Sequence, residues 1–79
     1  MAKAEFSLIA LGAAIRRQRE GKQLSQEELA KRCGIHRTYI GGVERGERNP
    51  TVKTLSRIAS ALEVPLSELI KIAEEILKE

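Results

Sequence analysis

The sequence predicts an all-α fold, five short helices packed into a single domain over 1–79. Two observations predict it. Apolar residues recur at helical spacing along the chain, punctuated by glycines, Asn49-Pro50 and Val64-Pro65. No segment shows the apolar–polar alternation of a half-buried strand. With 79 residues the core is modest, so helix ends and a partner subunit weigh heavily in stability.

The first helix is expected from about Glu5 to Glu20, with Leu8, Leu11, Ile15 and Arg19 on one face, and it stops near Gly21. The second starts at Ser25. Ser25-Gln26-Glu27-Glu28 is a capping box, in which the serine oxygen accepts from the third amide and Glu28 reaches back. Leu29, Ala30 and Cys33 form its buried stripe, and Gly34 ends it in a left-handed conformation. The third helix is expected from Arg37 to Arg45, ending at Gly46. The fourth follows Asn49-Pro50, is capped by Thr51 and carries Val52, Leu55, Ile58, Ala59 and Leu62 on one face. The fifth is expected over about 65–78, with Pro65 tolerated in its first turn and Leu66, Leu69, Ile70, Ile72, Ala73, Ile76 and Leu77 as its apolar set.

The net charge of +3 is unevenly spread. Residues 1–62 hold twelve Lys/Arg against six Asp/Glu, whereas 63–79 hold two Lys against five Glu. A basic body with an acidic end suits a polyanion on one side, and is also what a solvated charged surface looks like. Phe6 and Tyr39 are the only aromatic residues, too few for a single-strand stacking platform.

Several classes are disfavoured. The lone Cys33 and His36 cannot complete a zinc set, so neither a metal nor another cofactor is expected. Cys33 reads as a small core residue and His36 as a turn residue. A single cysteine makes no disulfide framework within the chain and suits a cytoplasmic, nucleoid-associated setting. No run approaches the roughly 18 apolar residues of a membrane span. Residues 1–11 do not read as a secretory signal, because Arg16 and Arg17 follow the apolar part. No catalytic triad, phosphate loop or pair of inward carboxylates appears, so an enzyme is not expected.

The informative unit is Gln26 to Glu44. Two short helices flank a tight turn at Gly34-Ile35-His36; Ala30 permits their approach, and Ile35, Ile40 and Val43 fasten the second to the first. A helix pair of this kind places its second helix in the DNA major groove. Around this unit the chain resembles the Cro/C1-type, or XRE, helix-turn-helix family over about Leu11 to Ile70. The resemblance rests on Ile15-Arg16-Arg17-Gln18-Arg19, Leu24-Ser25-Gln26-Glu27-Glu28-Leu29-Ala30, Gly34-Ile35, Ile40, Val43-Glu44-Arg45-Gly46, Asn49-Pro50-Thr51, Leu55 and Ile58-Ala59. It implies a compact lambda-repressor-like DNA-binding fold and a regulator of transcription. The segment Arg37-Thr38-Tyr39-Ile40-Gly41-Gly42-Val43-Glu44-Arg45-Gly46 is especially similar to controller proteins of restriction–modification systems. That implies a homodimer on a palindromic operator, acting on its own promoter and on an endonuclease gene. The implied partners are double-stranded operator or promoter DNA, a second copy and RNA polymerase.

At about 100° per residue, Ile40 and Val43 set the inward face of the third helix, and Thr38 and Arg45 point outward with Gly41 and Gly42 beside them. Arg37, in the first turn, is the candidate for a bidentate contact to guanine and Thr38 for a hydroxyl or methyl contact. The glycine pair has two readings. Bare backbone lets the helix press closer to base edges, or it serves close packing against a neighbouring helix. On the first reading, bulkier residues there weaken operator binding without lowering the melting temperature. Backbone contacts are expected from Gln26, where relatives hold the phosphates, and from Tyr39, Arg48, Asn49 and Lys53. The resemblance sets Arg19 opposite Glu44, which implies a partly buried salt bridge that orients the third helix. The apolar set of the fifth helix, Leu66, Leu69, Ile70, Ile72, Ala73 and Ile76, exceeds one face and is expected to form a two-fold dimer contact. Coverage by the first helix, with Phe6, Leu8 and Ile9, is the competing reading. A different class also stays open, an antitoxin or phage-type repressor whose main role includes binding a protein partner.

Overall fold

The computed structural model describes residues 6–79, in which five α-helices follow one another without a strand: α1 Leu8–Gly21, α2 Gln26–Cys33, α3 Arg37–Glu44, α4 Val52–Ala61 and α5 Leu66–Leu77. Glu5, the expected start of the first helix, lies outside the described residues. The helix opens at Leu8 because Ser7 caps it: Ser7 is extended, and its Oγ accepts from the Ala10 N–H at 3.2 Å. That cap corrects the sequence expectation. A serine before an apolar run is an N-cap candidate by its residue type alone, since its oxygen can accept from an N–H of the first turn.

The capping box of α2 is complete. Glu28 N–H donates to Ser25 Oγ at 3.0 Å, and Ser25 N–H to Glu28 Oε1 at 2.8 Å. The other end of α2 closes at Gly34 (φ 69°), after which Ile35 N–H reaches back to the Ala30 carbonyl at 3.0 Å. Only a residue without a Cβ takes that left-handed turn at no steric cost. Arg57 of α4 adds a long-range cap, its Nη2 donating to the Cys33 carbonyl at 2.7 Å. Thr51 caps α4 through the Thr54 N–H at 3.1 Å. Pro65 stands one residue outside α5, at its N-cap, where its missing N–H costs nothing.

The core is built from Leu11, Ile15, Leu29, Ile40, Val43, Ile58, Leu62 and Leu69, all fully buried. α1 lies between α3 and α5 and packs on both, and α2 bridges α3 and α4. The approach of α1 to α3 depends on Gly12, since a Cβ there would overlap the backbone carbonyls of Val43 and Glu44. In α5, Leu69 and Ala73 are fully buried in the core shared with α1. This corrects their assignment to a dimer surface: the i, i+4 stripe turns inward, and α1 takes it. Leu66, Ile70, Ile72 and Ile76 are half-buried along the edges of that core, and Leu77 is exposed.

Candidate nucleic-acid interface

α3 has eight residues and two unlike faces. Its back is anchored by Ile40 and Val43 and by a polar clamp at its last residue, Glu44. Arg19 of α1 grips the Glu44 carboxylate bidentately, Nε to Oε2 at 2.7 Å and Nη2 to Oε1 at 3.0 Å. The remaining terminal nitrogen of Arg19, Nη1, donates to the Leu24 carbonyl at 2.7 Å. Gln26, the first residue of α2, completes the clamp by donating Nε2 to Glu44 Oε1 at 2.9 Å. The two charged side chains are only 10% and 3% exposed. Among the described residues no buried side-chain nitrogen or oxygen lacks a partner. Such charge-assisted bonds in low dielectric fix orientation strongly, and the bond to Glu44 raises the affinity of the Arg19 guanidinium for its proton. The structure thus brings Arg19 and Glu44 together, and it also draws Gln26 into the clamp. The amide nitrogen of Gln26 is turned toward Glu44 while the residue stays half-exposed.

The front of α3 is open at its first turn, where Arg37 and Thr38 are exposed. Arg45, the C-cap, is exposed beyond its end. Between them Gly41 and Gly42 are buried, which the close-packing reading anticipates and the bare-backbone reading does not. A Cβ on Gly41 would lie 3.1 Å from Arg45 Nη1 and 3.4 Å from Gln26 Oε1; one on Gly42 would lie 2.8 Å from Arg48 Cγ. The glycines are therefore covered by polar side chains, Gly41 by Arg45 and by Gln26 of the neighbouring α2, and Gly42 by Arg48 of the following loop. This roof forms because long arginines fold back along a surface that offers no side chain, which a helical wheel does not display.

Tyr39 is half-buried beside this roof, with the Arg48 guanidinium 5.8 Å from its ring centroid, a cation–π contact. Arg45 donates Nε to Glu47 Oε1 at 3.1 Å. The structure gathers Gln26 and Arg45 at Gly41, and Arg48, stacked on Tyr39, at Gly42. Asn49 and Lys53 stand exposed in and beyond the loop that follows. His36, at the N-cap of α3, makes no side-chain cap bond, and its carbonyl accepts from the Tyr39 N–H at 3.1 Å. Among the described residues no three His, Cys, Asp or Glu side chains form a metal group. Cys33 is buried, and desolvation pushes its thiol up from the ordinary value.

Sequence reasoning did not single out Gly12, Glu47 or Arg57. Gly12 carried a signal, a glycine inside an apolar helix face. Glu47 carried another, a lone acid between Arg45 and Arg48. Arg57 carried none, because its carbonyl partner lies 24 residues away.

Two helices at a left-handed glycine turn, the second clamped behind and basic in front, define a helix-turn-helix protein. The model of the family described as Helix-turn-helix matches residues 15–69, and the chain belongs to that family of DNA-binding transcription regulators, which are not enzymes. It is 48% identical over 60 residues to the control protein C.SmaI of Serratia marcescens, covering 76% of this chain and 71% of that one. The crystal structure of the restriction-modification controller protein C.AhdI from Aeromonas hydrophila aligns with a TM-score of 0.78 at 44% identity, over 78% of this chain and 94% of that one. The controller protein C.Esp1396I, crystallised as a tetramer with its natural 35 base-pair operator, aligns with a TM-score of 0.86 at 33% identity, over 96% of this chain and all (100%) of that one. No described helix is long and apolar enough to cross a membrane.

Proposed function

We propose that this protein binds a palindromic duplex operator as a homodimer and controls its own promoter within a restriction–modification system. The observation that carries the reading is the two-faced α3. A buried clamp of Arg19, Glu44 and Gln26 holds its back, leaving Arg37, Thr38 and Arg45 on the exposed front. Arg37 and Arg45 supply guanidinium forks for guanine O6 and N7, and Thr38 a hydroxyl and a methyl for a neighbouring base. Gln26, Tyr39, Arg48, Asn49 and Lys53 supply backbone contacts that set register. Gly41 and Gly42 keep the floor of the reading face low, so that Arg45 can lie along it with its guanidinium toward the groove.

Dimerisation is assigned to the half-buried flanks of α5, Leu66, Ile70, Ile72 and Ile76, with Leu69 and Ala73 supporting them from beneath. Two copies related by a two-fold axis present two α3 helices about one DNA turn apart, roughly 34 Å. The similarity to C.SmaI, C.AhdI and C.Esp1396I supports the controller assignment, and RNA polymerase is the further partner expected at a regulated promoter. Retention in the cytoplasm with the nucleoid follows from that role.

The test is footprinting on the DNA upstream of the protein's own gene. A protected, symmetric pair of half-sites is expected. Arg37→Ala is expected to cost about 1–3 kcal/mol of discrimination at one base pair of each half-site. Retention of full sequence preference by the double variant Arg37→Ala, Thr38→Ala would overturn the reading.

A further inference from the structure

Glu47 is an acid on the face assigned to a polyanion. Its position is fixed by backbone. Beyond α3, Gly46 takes a left-handed φ of 76° and donates its N–H to the Val43 carbonyl at 3.0 Å, while Glu47 N–H donates to the Gly42 carbonyl at 2.8 Å. Gly46 is also wedged against α1, where a Cβ on it would lie 2.7 Å from Ile9 Cγ1. The turn therefore has little freedom, and the Glu47 side chain starts from a fixed point next to the end of α3.

From there the carboxylate takes one specific edge of Arg45, its Nε, at 3.1 Å. The Arg45 side chain then runs back along α3 over Gly41, with Nη1 3.1 Å from the place a Cβ would occupy. Nη1 and Nη2 make no hydrogen bond among the described residues. Those two nitrogens form the end-on fork that matches guanine O6 and N7. Both side chains are well exposed, at 60% and 62%. An ion pair so wet adds little to folding stability, so its consequence is orientation: an arginine already aligned loses less freedom on binding.

We propose that Glu47 is a specificity-determining positioning residue, which holds Arg45 by its Nε so that the opposite edge of the guanidinium is presented to a base. This rests on the assignment of α3 as the reading helix. The glycine at 41 belongs to the same device, since it provides the trough in which the arginine lies.

The test uses the full chain, its footprinted operator duplex and an unrelated duplex of equal length. The quantity read is the ratio of the two dissociation constants. Glu47→Gln is expected to lower that ratio about threefold, the scale of one exposed ion pair, with no change in melting temperature. Arg45→Ala is expected to lower it further, and adding Glu47→Gln to Arg45→Ala is expected to change nothing more. An unchanged ratio in Glu47→Gln overturns the proposal. So does an equal fall in the Arg45→Ala background, which would mean that Glu47 influences base choice without Arg45. If either result comes while Arg37→Ala still erodes operator preference, the reading helix stands and only the role of Glu47 fails; a wild-type chain without operator preference overturns both.

Discussion

Two arginines of α1 stand two residues apart, and each grips a glutamate with two hydrogen bonds. Arg19 holds Glu44 at 2.7 and 3.0 Å; Arg17 holds Glu79 at 3.2 and 3.0 Å. The chemistry is nearly the same and the surroundings are opposite. The Arg19–Glu44 side chains are 10% and 3% exposed, those of Arg17–Glu79 55% and 58%. In the first pair water is excluded, a third donor from Gln26 joins, and loss of either partner strands a charge next to the core. In the second, water solvates both ions whether or not they meet. The difference teaches where this molecule invests electrostatics. The clamp behind α3 decides how the reading helix sits, whereas the pair at the other face of α1 only tethers the last residue.

The largest effect that sharpens this contrast is expected from Arg19→Ala or Glu44→Ala, each destabilising by about 3–5 kcal/mol. Because the two share one interaction, the double variant is expected to cost far less than the sum, and a thermal double-mutant cycle checks it. A cycle with no coupling would erase the distinction between the pairs. Next comes Gly12→Ala, expected to cost about 1–3 kcal/mol by forcing α1 away from the Val43 and Glu44 carbonyls. Operator affinity should fall in parallel, since the clamp is carried on the same approach, and calorimetry with a binding titration reads both.

A smaller effect comes from acid. Hydrogen bonds from Ser25 hold the Glu28 carboxyl below its ordinary value of 4.5, and Arg17 does the same to Glu79. A carboxyl depressed in the folded state contributes stability that is full above its unfolded value and is lost as pH falls through the folded one. Melting temperature is therefore expected to drop below about pH 4.5, and Glu28→Gln should flatten that decline by removing the titrating cap. The smallest effect is that of Arg17→Ala, expected to leave the melting temperature within experimental scatter at neutral pH. A large loss there would mean that exposure does not separate the two pairs.

How far the sequence could be read depended on the reach of each interaction. The α2 cap, the Gly34 turn and the Thr51 cap involve residues three to five apart, and all stood in the sequence as short motifs. The Ser7 cap is equally local and carries the same one-sided signal as Thr51, a lone hydroxyl before an apolar run, yet the expected start at Glu5 passes over it. The split of α5 was misjudged for a different reason. A wheel shows that Leu69 and Ala73 share a face with Leu66, Ile70 and Leu77, but not which part of that face α1 covers. For α3, the wheel could not show that Arg45 and Arg48 lie down over Gly41 and Gly42.

What the sequence by itself determined is the set of helices, their caps and turns, the basic character of the middle of the chain and the two helices of the reading motif. These follow from side chains meeting backbone within one or two turns, where chain connectivity alone brings the groups together. The tertiary structure decided the rest: the clamp geometry on Glu44, the close contact at Gly12, the Arg57 cap on Cys33 and the core allotted to Leu69 and Ala73. Each joins groups 18 or more residues apart, whose meeting is set by how whole helix faces exclude water and not by any local pattern.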